Sequence, residues 1–257
     1  MKIPELALSH LENDSFTDEF HFKIENQDKI QDRIKLIEGI VSGQKVIHVG
    51  CLDHIPLIAS RIKQNIWMHQ RLTKVSSECL GIDIDRNGID FVRSELGIEN
   101  VVYGDLAGEN KIPEVENQHW DFAVLSDVLE HIDNPVFFIQ KFIANYGHKI
   151  GTLIISVPNA FRLNNIRTIF HNEECINSDH RYWFSPYTIS KIVSQSGLTI
   201  EKIQMCQFVL NGSKNSWKTS LKNILLNRYP LAADTIVVLC KPKIPNQIAL
   251  ETTPSIA

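Results

Sequence analysis

Residues 45–85, KVIHVGCLDHIPLIASRIKQNIWMHQRLTKVSSECLGIDID, decide the architecture. A short β-rich run, KVIHVGC, gives way to a helical stretch carrying Ile58, Ile62 and Ile66, and then to a second apolar run, ECLGIDID. The alternation continues outward. A helix with Ile89, Val92 and Leu96 leads to a third strand, NVVYGDL, and a fourth, WDFAVLSDV. Asn134-Pro135 reads as a cap and first-turn proline before Phe138, Ile139, Phe142 and Ile143, and GTLIISVP is the fifth strand. Ser185-Pro186 opens a helix with Ile189, Ile192 and Val193 that Gly197 stops; LTIEKIQM and DTIVVLCK supply the last two strands. Upstream, Ile30, Ile34, Ile37 and Val41 mark one face of a helix ended by Gly43. Strands separated by helices imply parallel β-α-β units with right-handed crossovers. The expected fold is a doubly wound α/β sheet whose ligand lies beyond the carboxyl ends of its strands.

Length and charge narrow the function. The 257 residues suit one α/β domain with extensions, or two small domains. With 26 Lys+Arg against 30 Asp+Glu the net charge is -4, the opposite of a nucleic-acid coat. No apolar run reaches the ~20 residues that span a bilayer. The start, MKIPELALSHLEND, lacks a basic leader before an apolar core, so no secretory signal is expected. Cys51, Cys79, Cys175, Cys206 and Cys240 are scattered, odd in number and without Cys-x-x-Cys, which fits a reducing cytoplasm.

The strand ends carry the chemistry. After the first strand stands His48-Val49-Gly50-Cys51-Leu52-Asp53-His54. A glycine there lets backbone approach a ligand, but G-x-G-x-x-G and a phosphate loop are both absent, so a dinucleotide is poorly supported. The second end, Gly81-Ile82-Asp83-Ile84-Asp85, places a carboxylate where a ribose diol is held; helix capping is the alternative, and Asp85 suits it better than Asp83. The third end is Gly104-Asp105-Leu106, an acid for an adenine amino group or a turn. The fourth, Ser126-Asp127-Val128-Leu129-Glu130-His131, gathers a hydroxyl, two carboxylates and an imidazole.

Taken together, VIHVGC, LGIDID, NVVYGDL, WDFAVLSDVLEHIDNP, GTLIISVPNAF and DHRYWFSPYTISKIVSQSGLTI resemble the class I S-adenosylmethionine-dependent methyltransferases over about residues 44–242. The resemblance implies a Rossmann-like sheet of seven strands, mostly parallel, with the last antiparallel. It implies S-adenosylmethionine as cofactor, Gly50 near its methionine, Asp83 at its ribose and Asp105 near adenine. Cys51, Ile84, Leu106 and Ser126 complete the expected cofactor set. One departure stands out: Leu52 occupies the second glycine position of the usual G-x-G, and the insert RIKQNIWMHQRL lengthens the interval to Asp83. A similar turn and insert resemble a subgroup from bacterial surface-glycan gene clusters. The expected domains are a helical extension over 1–43, the methyltransferase unit over 44–242 with a lid at about 159–185, and a tail over 243–257.

Transfer to a hydroxyl needs a proton acceptor, and imidazole suits it. His180, beside Asp179 in the lid, and His131 are the candidate catalytic groups together with Asp127; holding a loop through backbone hydrogen bonds is the alternative for His131, and Asp179 and His180, as loop neighbours, need not point together. His54, Asn159, Arg181, Tyr182 and Trp183 are the candidate acceptor-binding residues, a polar lid over an aromatic contact being the plainer reading. The histidines show no tight ligand spacing with Asp127 or Glu130, so no metal is expected. Lys214, Lys218, Lys222 and Arg228 follow a helical spacing whose default is a solvated face. The resulting expectation is methyl transfer to a small-molecule acceptor, a hydroxyl of a sugar or glycan precursor. Nucleic acid is not expected, since the Asp/Asn-Pro-Pro-Tyr pattern is missing. A homo-oligomer is compatible with the sequence, and a non-catalytic scaffold of the same fold is the competing reading that Leu52 and His54 sustain.

Overall fold

The computed structural model describes residues 5–23, 29–208 and 217–243. In chain order the elements are α1 (Glu5–Glu12), β1 (Gln31–Asp32), α2 (Arg33–Val41), β2 (Lys45–Val49), α3 (Ile55–Lys63), α4 (Met68–Val75), β3 (Glu78–Asp83), α5 (Arg86–Ser94) and β4 (Val101–Tyr103). Then come α6 (Pro113–Glu116), β5 (Trp120–Ser126), α7 (Pro135–Tyr146), β6 (Ile150–Pro158), α8 (Leu163–Ile169), α9 (Pro186–Gln195), β7 (Leu198–Gln207), α10 (Trp217–Arg228) and β8 (Thr235–Pro242).

The strands form one sheet in the order β1-β7-β8-β6-β5-β2-β3-β4. Only β8 runs antiparallel, to both β6 and β7. The sheet therefore has eight strands where seven were expected. The extra one is Gln31–Asp32, paired in parallel with Cys206 and Gln207 at the edge. Two polar residues have no apolar period to betray a strand, so its existence depends on the β7 edge beside it.

Alternation of side chains along the central strands divides the core between the two faces. Val46, Val124, Ile154 and Val237 face Ile34, Ile37 and Val41 of α2 and Met68 and Leu72 of α4. Ile47, Ala123, Leu125 and Ile155 face Ile139, Phe142 and Tyr146 of α7 and Ile189 and Val193 of α9. Each fully buried side chain of that size contributes about 1.5–3 kcal/mol. The expected helix punctuation is present: Gly43 and Gly197 take left-handed φ of 73° and 80°, and Asn134 Oδ1 accepts from Phe137 N. Ser185 and Thr188 close a capping box.

The expected helical stretch through Ile66 is broken in two. α3 stops at Lys63, Asn65 adopts φ 56°, and α4 starts at Met68, so Ile66 lies in the turn between them. The insert packs instead of looping out: Trp67, His69 and Leu72 are buried, and the Arg71 guanidinium forks onto both oxygens of Glu38 at 2.5 Å. Lys222 and Arg228 lie on α10, Lys222 3.9 Å from Asp234 and Arg228 over the Tyr229 ring. Lys214, the Lys218 side chain and the tail from residue 244 lie outside the described residues. No helix among the described residues is long and apolar enough to cross a membrane.

Candidate active site

Parallel strands bring their carboxyl ends to one edge, and β2, β3, β4 and β5 are adjacent there. Gly50 follows β2 at φ 64°, and a Cβ at that position would lie 2.6 Å from Val128 Cγ2. Both the left-handed backbone and the close approach demand glycine. Asp83, at the end of β3, ties the first two turns together: its Oδ2 accepts from Leu52 N and its Oδ1 from Asp85 N, each at 3.0 Å. Burial raises its carboxyl above the usual value, against those N–H donors. Asp105, after β4, accepts from Ala107 N at 2.9 Å and fixes its own turn.

These ends open onto a cleft of about 450 Å³ lined by Gly50, Asp83, Ile84, Asp105 and Leu106 on one wall and by Val128 and His131 on another. Ile84 presents an apolar side chain that is 69% exposed, a ready platform for a flat ring. Cys51 and Ser126, also expected at the cofactor, stand apart from this lining. The Cys51 thiol is buried toward Gly81, and burial pushes its pKa up; Ser126 Oγ accepts from Ser156 Oγ at 3.2 Å. Leu52 turns its side chain to α5, where its Cδ1 would lie 2.6 Å from a Cβ on Gly88. The cleft is thus free of the one side chain whose position in the first turn threatened it. Asp85 sits at the start of α5, yet its carboxylate accepts no helix N–H.

Beyond β5 the construction changes. Asp127 has φ 57°, a strained conformation for a non-glycine residue. Its carboxylate pairs with the buried guanidinium of Arg33 from α2, and Arg33 Nη1 donates to Ser156 Oγ at 3.3 Å. Residues 129–131 make one tight helical turn. It buries Glu130 completely (0% exposed) and sets the His131 ring 4.7 Å from that of His180, edge to face. Burial, and then Asp127, push the Glu130 carboxyl well above its usual range. Burial, and then His131, pull His180 below an ordinary histidine, so its imidazole is neutral near pH 7.

The sequence matches the model of a methyltransferase domain over residues 22–203. The chain belongs to this methyltransferase family. Its cofactor is S-adenosylmethionine, and the protein is an S-adenosylmethionine-dependent methyltransferase. No curated protein matches the chain. Among solved structures, the small RNA methyltransferase HEN1 is similar at 13% identity and a TM-score of 0.51, over 86% of this chain but only 27% of HEN1. A S-adenosylmethionine-dependent methyltransferase from Clostridium acetobutylicum is similar at 10% identity and TM-score 0.47, covering 82% of this chain and 88% of that one. Magnesium protoporphyrin IX methyltransferase from Synechocystis gives 16% identity and TM-score 0.45 over 81% and 78%. At such identities the likeness speaks for the fold alone.

In the methyltransferase, the candidate acceptor-binding residues of the 159–185 segment are tied down more than the sequence suggested. Arg181 donates from its backbone N to Glu130 O at 2.7 Å and from Nη1 to His131 O at 2.6 Å, and pairs with Asp133. Tyr182 Oη donates to Asp133 O, and Trp183 Nε1 donates to Glu174 Oε1. His54 meets Asp179 at 3.2 Å. Asn159 is a correction. It is 0% exposed; its Nδ2 donates to Leu231 O and Ala233 O, and its Oδ1 accepts from Phe161 N, leaving no group for an acceptor. Sequence reasoning missed Arg33. A signal was present: Arg33, Ile37 and Val41 are spaced by four, so a charge stood in register with the buried stripe.

Proposed function

We propose that this methyltransferase carries the methyl group to a hydroxyl of a small-molecule acceptor, a sugar, glycan precursor or related metabolite. The observation that carries the reading is the His131–His180 pair set against the cleft that already holds Gly50, Asp83 and Asp105. The residues fit the cofactor. Gly50 leaves backbone bare where a side chain would clash, and Asp83 offers a carboxylate already oriented by two N–H donors for a ribose diol. Ile84 and Leu106 give adenine apolar surface, with Asp105 at its polar edge. When bound, S-adenosylmethionine supplies an already activated methyl on its sulfonium.

The chain's own task is then to position the acceptor, exclude water and take up its proton. His180, beside His131, is placed for that proton, within the electrostatic reach of Asp127. Residues 159–185 serve as a lid over the carboxyl edge of the 44–242 unit, held by Arg181 and by the His54–Asp179 contact. The described part of the 1–43 extension brings in Arg33. The net charge of -4 favours a small acceptor over nucleic acid, and the free thiols of all five cysteines fit the cytoplasm. Against the scaffold reading stands the orientation of Leu52, which packs on α5 and leaves the cleft open.

The test uses labelled S-adenosylmethionine with hydroxyl-bearing and amine-bearing small acceptors. Methylated oxygen is expected, with His180→Ala lowering turnover by about 10²–10⁴-fold while S-adenosylhomocysteine affinity holds. Methylation confined to amines, or normal turnover in that variant, overturns the reading.

A further inference from the structure

The turn after β5 holds a group the methyl-transfer reading leaves unexplained. Glu130 is 0% exposed, and neither of its carboxylate oxygens has a hydrogen-bond partner among the described residues. A buried carboxyl in that condition is costly by several kcal/mol unless something pairs with it. The nearby cation, Arg33, is directed elsewhere: its Nη1 pairs with Asp127 and donates to Ser156, and although its Nε has no partner among the described residues, no hydrogen bond joins it to Glu130. The atoms that do approach Glu130 are imidazole nitrogens, which are ligands. Glu130, His131 and His180 each place one ligand atom within 4.8 Å of the others.

The tautomers agree. His131 Nδ1 lies 3.2 Å from the Asp179 carbonyl, which can only accept, so Nδ1 carries the proton and Nε2 keeps its lone pair. A carbonyl on the far nitrogen is the usual way a metal-binding histidine is oriented. His180 Nδ1 is buried and has no partner among the described residues. Arg181 holds the two segments in place, donating to the backbone carbonyls of Glu130 and His131.

We propose that Glu130, His131 and His180 form a seat for a first-row divalent cation. Two imidazoles and one carboxylate select such an ion over magnesium or calcium, which prefer all-oxygen shells. The ligands come from two segments 50 residues apart, so no compact spacing announces them in sequence. His131 also lines the cleft, so a cation held there would lie at its edge. With a cation bound, the lone pair of His180 is committed to it, so proton uptake by His180 in the function proposed above belongs to the cation-free chain; the cation seat itself does not rest on that function.

The experiment titrates Co²⁺ into the untagged full chain after dialysis against a chelator, followed by visible absorption and calorimetry. One Co²⁺ per chain is expected, displaced by Zn²⁺, with affinity falling about 100-fold in His131→Ala/His180→Ala and about 10-fold or more in Glu130→Gln. Affinity is expected to hold in His21→Ala/His148→Ala, which removes exposed imidazoles elsewhere. Each variant is checked for S-adenosylhomocysteine binding, which a folded chain retains. A wild-type chain that binds no Co²⁺, or equal affinity in His131→Ala/His180→Ala, overturns the proposal. Should the wild type bind Co²⁺ but not S-adenosylhomocysteine, the methyl-transfer reading of the cleft falls and the cation seat stands.

Discussion

The two halves of the carboxyl edge are built by different means. At β2, β3 and β4 the work is done by backbone. Gly50 turns left-handed, Asp83 collects the N–H groups of Leu52 and Asp85, and Asp105 closes its own turn on Ala107. Gly50 and Asp105 act at their own strand ends, and Asp83 reaches only the adjacent turn after β2. At β5 and β6 the work is done by side chains far apart in sequence: Arg33 reaches Asp127 and Ser156, and His180 reaches His131. Local turns are cheap to specify and tolerate single losses. A side-chain network around a strained residue, Asp127 at φ 57°, fails when one member goes.

That contrast places the largest effect at Arg33. Its guanidinium is buried against a carboxylate with about a third of its side chain exposed, so Arg33→Met is expected to destabilise the fold by about 3 kcal/mol, the lower end for a broken buried pair. Arg33→Met/Asp127→Asn is expected to recover part of it by removing the stranded charge. Urea midpoints measure both; an unchanged midpoint in the single variant would show that the pair is ornamental.

Beneath the first half lies the next effect in size. His48 on β2 and His69 on α4 stack at 5.6 Å, and no nitrogen of His48 finds a partner among the described residues. Burial lowers both, His48 further through His69 and Arg33, and takes His69 to about 4. An unfolded imidazole binds its proton near pH 6.5, the folded His69 only near 4, so the unfolded chain holds more protons between those values. Stability present above pH 6.5 is therefore lost as pH falls toward 4, by on the order of 3 kcal/mol from His69. Urea titrations at stepped pH on the wild type and His69→Leu check this; parallel profiles would put the acid response elsewhere.

Most of the fold was legible because its signals are local. The periods of KVIHV, CLGID and FAVLS locate the central strands, and Gly43, Asn134, Ser185 and Gly197 mark helix ends through chemistry confined to one turn. What escaped depends on distant partners. Gln31–Asp32 is a strand only because β7 offers an edge, and Asn159 reads as a ligand-facing amide until the 231–233 segment takes both its hydrogens. The site divides the same way. Gly50, Asp83 and Asp105 are strand-end residues and were visible, whereas Arg33 and the pairing of His131 with His180 exist only once the sheet has brought residues 33, 131 and 180 together.

Smaller effects test the backbone-built half at the cofactor. Asp83→Ala is expected to weaken S-adenosylhomocysteine binding by about 1–3 kcal/mol, the cost of leaving a polar partner unpaired. Calorimetry reads it directly, and unchanged affinity would remove the ribose assignment from Asp83.

The smallest effect separates two helix starts that look alike in sequence. Ser185 opens α9 with a closed capping box, so Ser185→Ala is expected to cost about 1 kcal/mol. Asp85 opens α5 with its carboxylate free of any helix N–H, so Asp85→Ala is expected to cost less than about 0.5 kcal/mol. The asymmetry follows from Asp83, which takes the Asp85 N–H and shapes the turn without help from the Asp85 side chain. Urea midpoints of the two variants, compared side by side, decide it. Equal losses would mean that the Asp85 carboxylate caps α5 in solution. The turn after β3 would then share its dependence on a side chain with the β5 end, and the contrast between the two halves would narrow to Gly50 and Asp105.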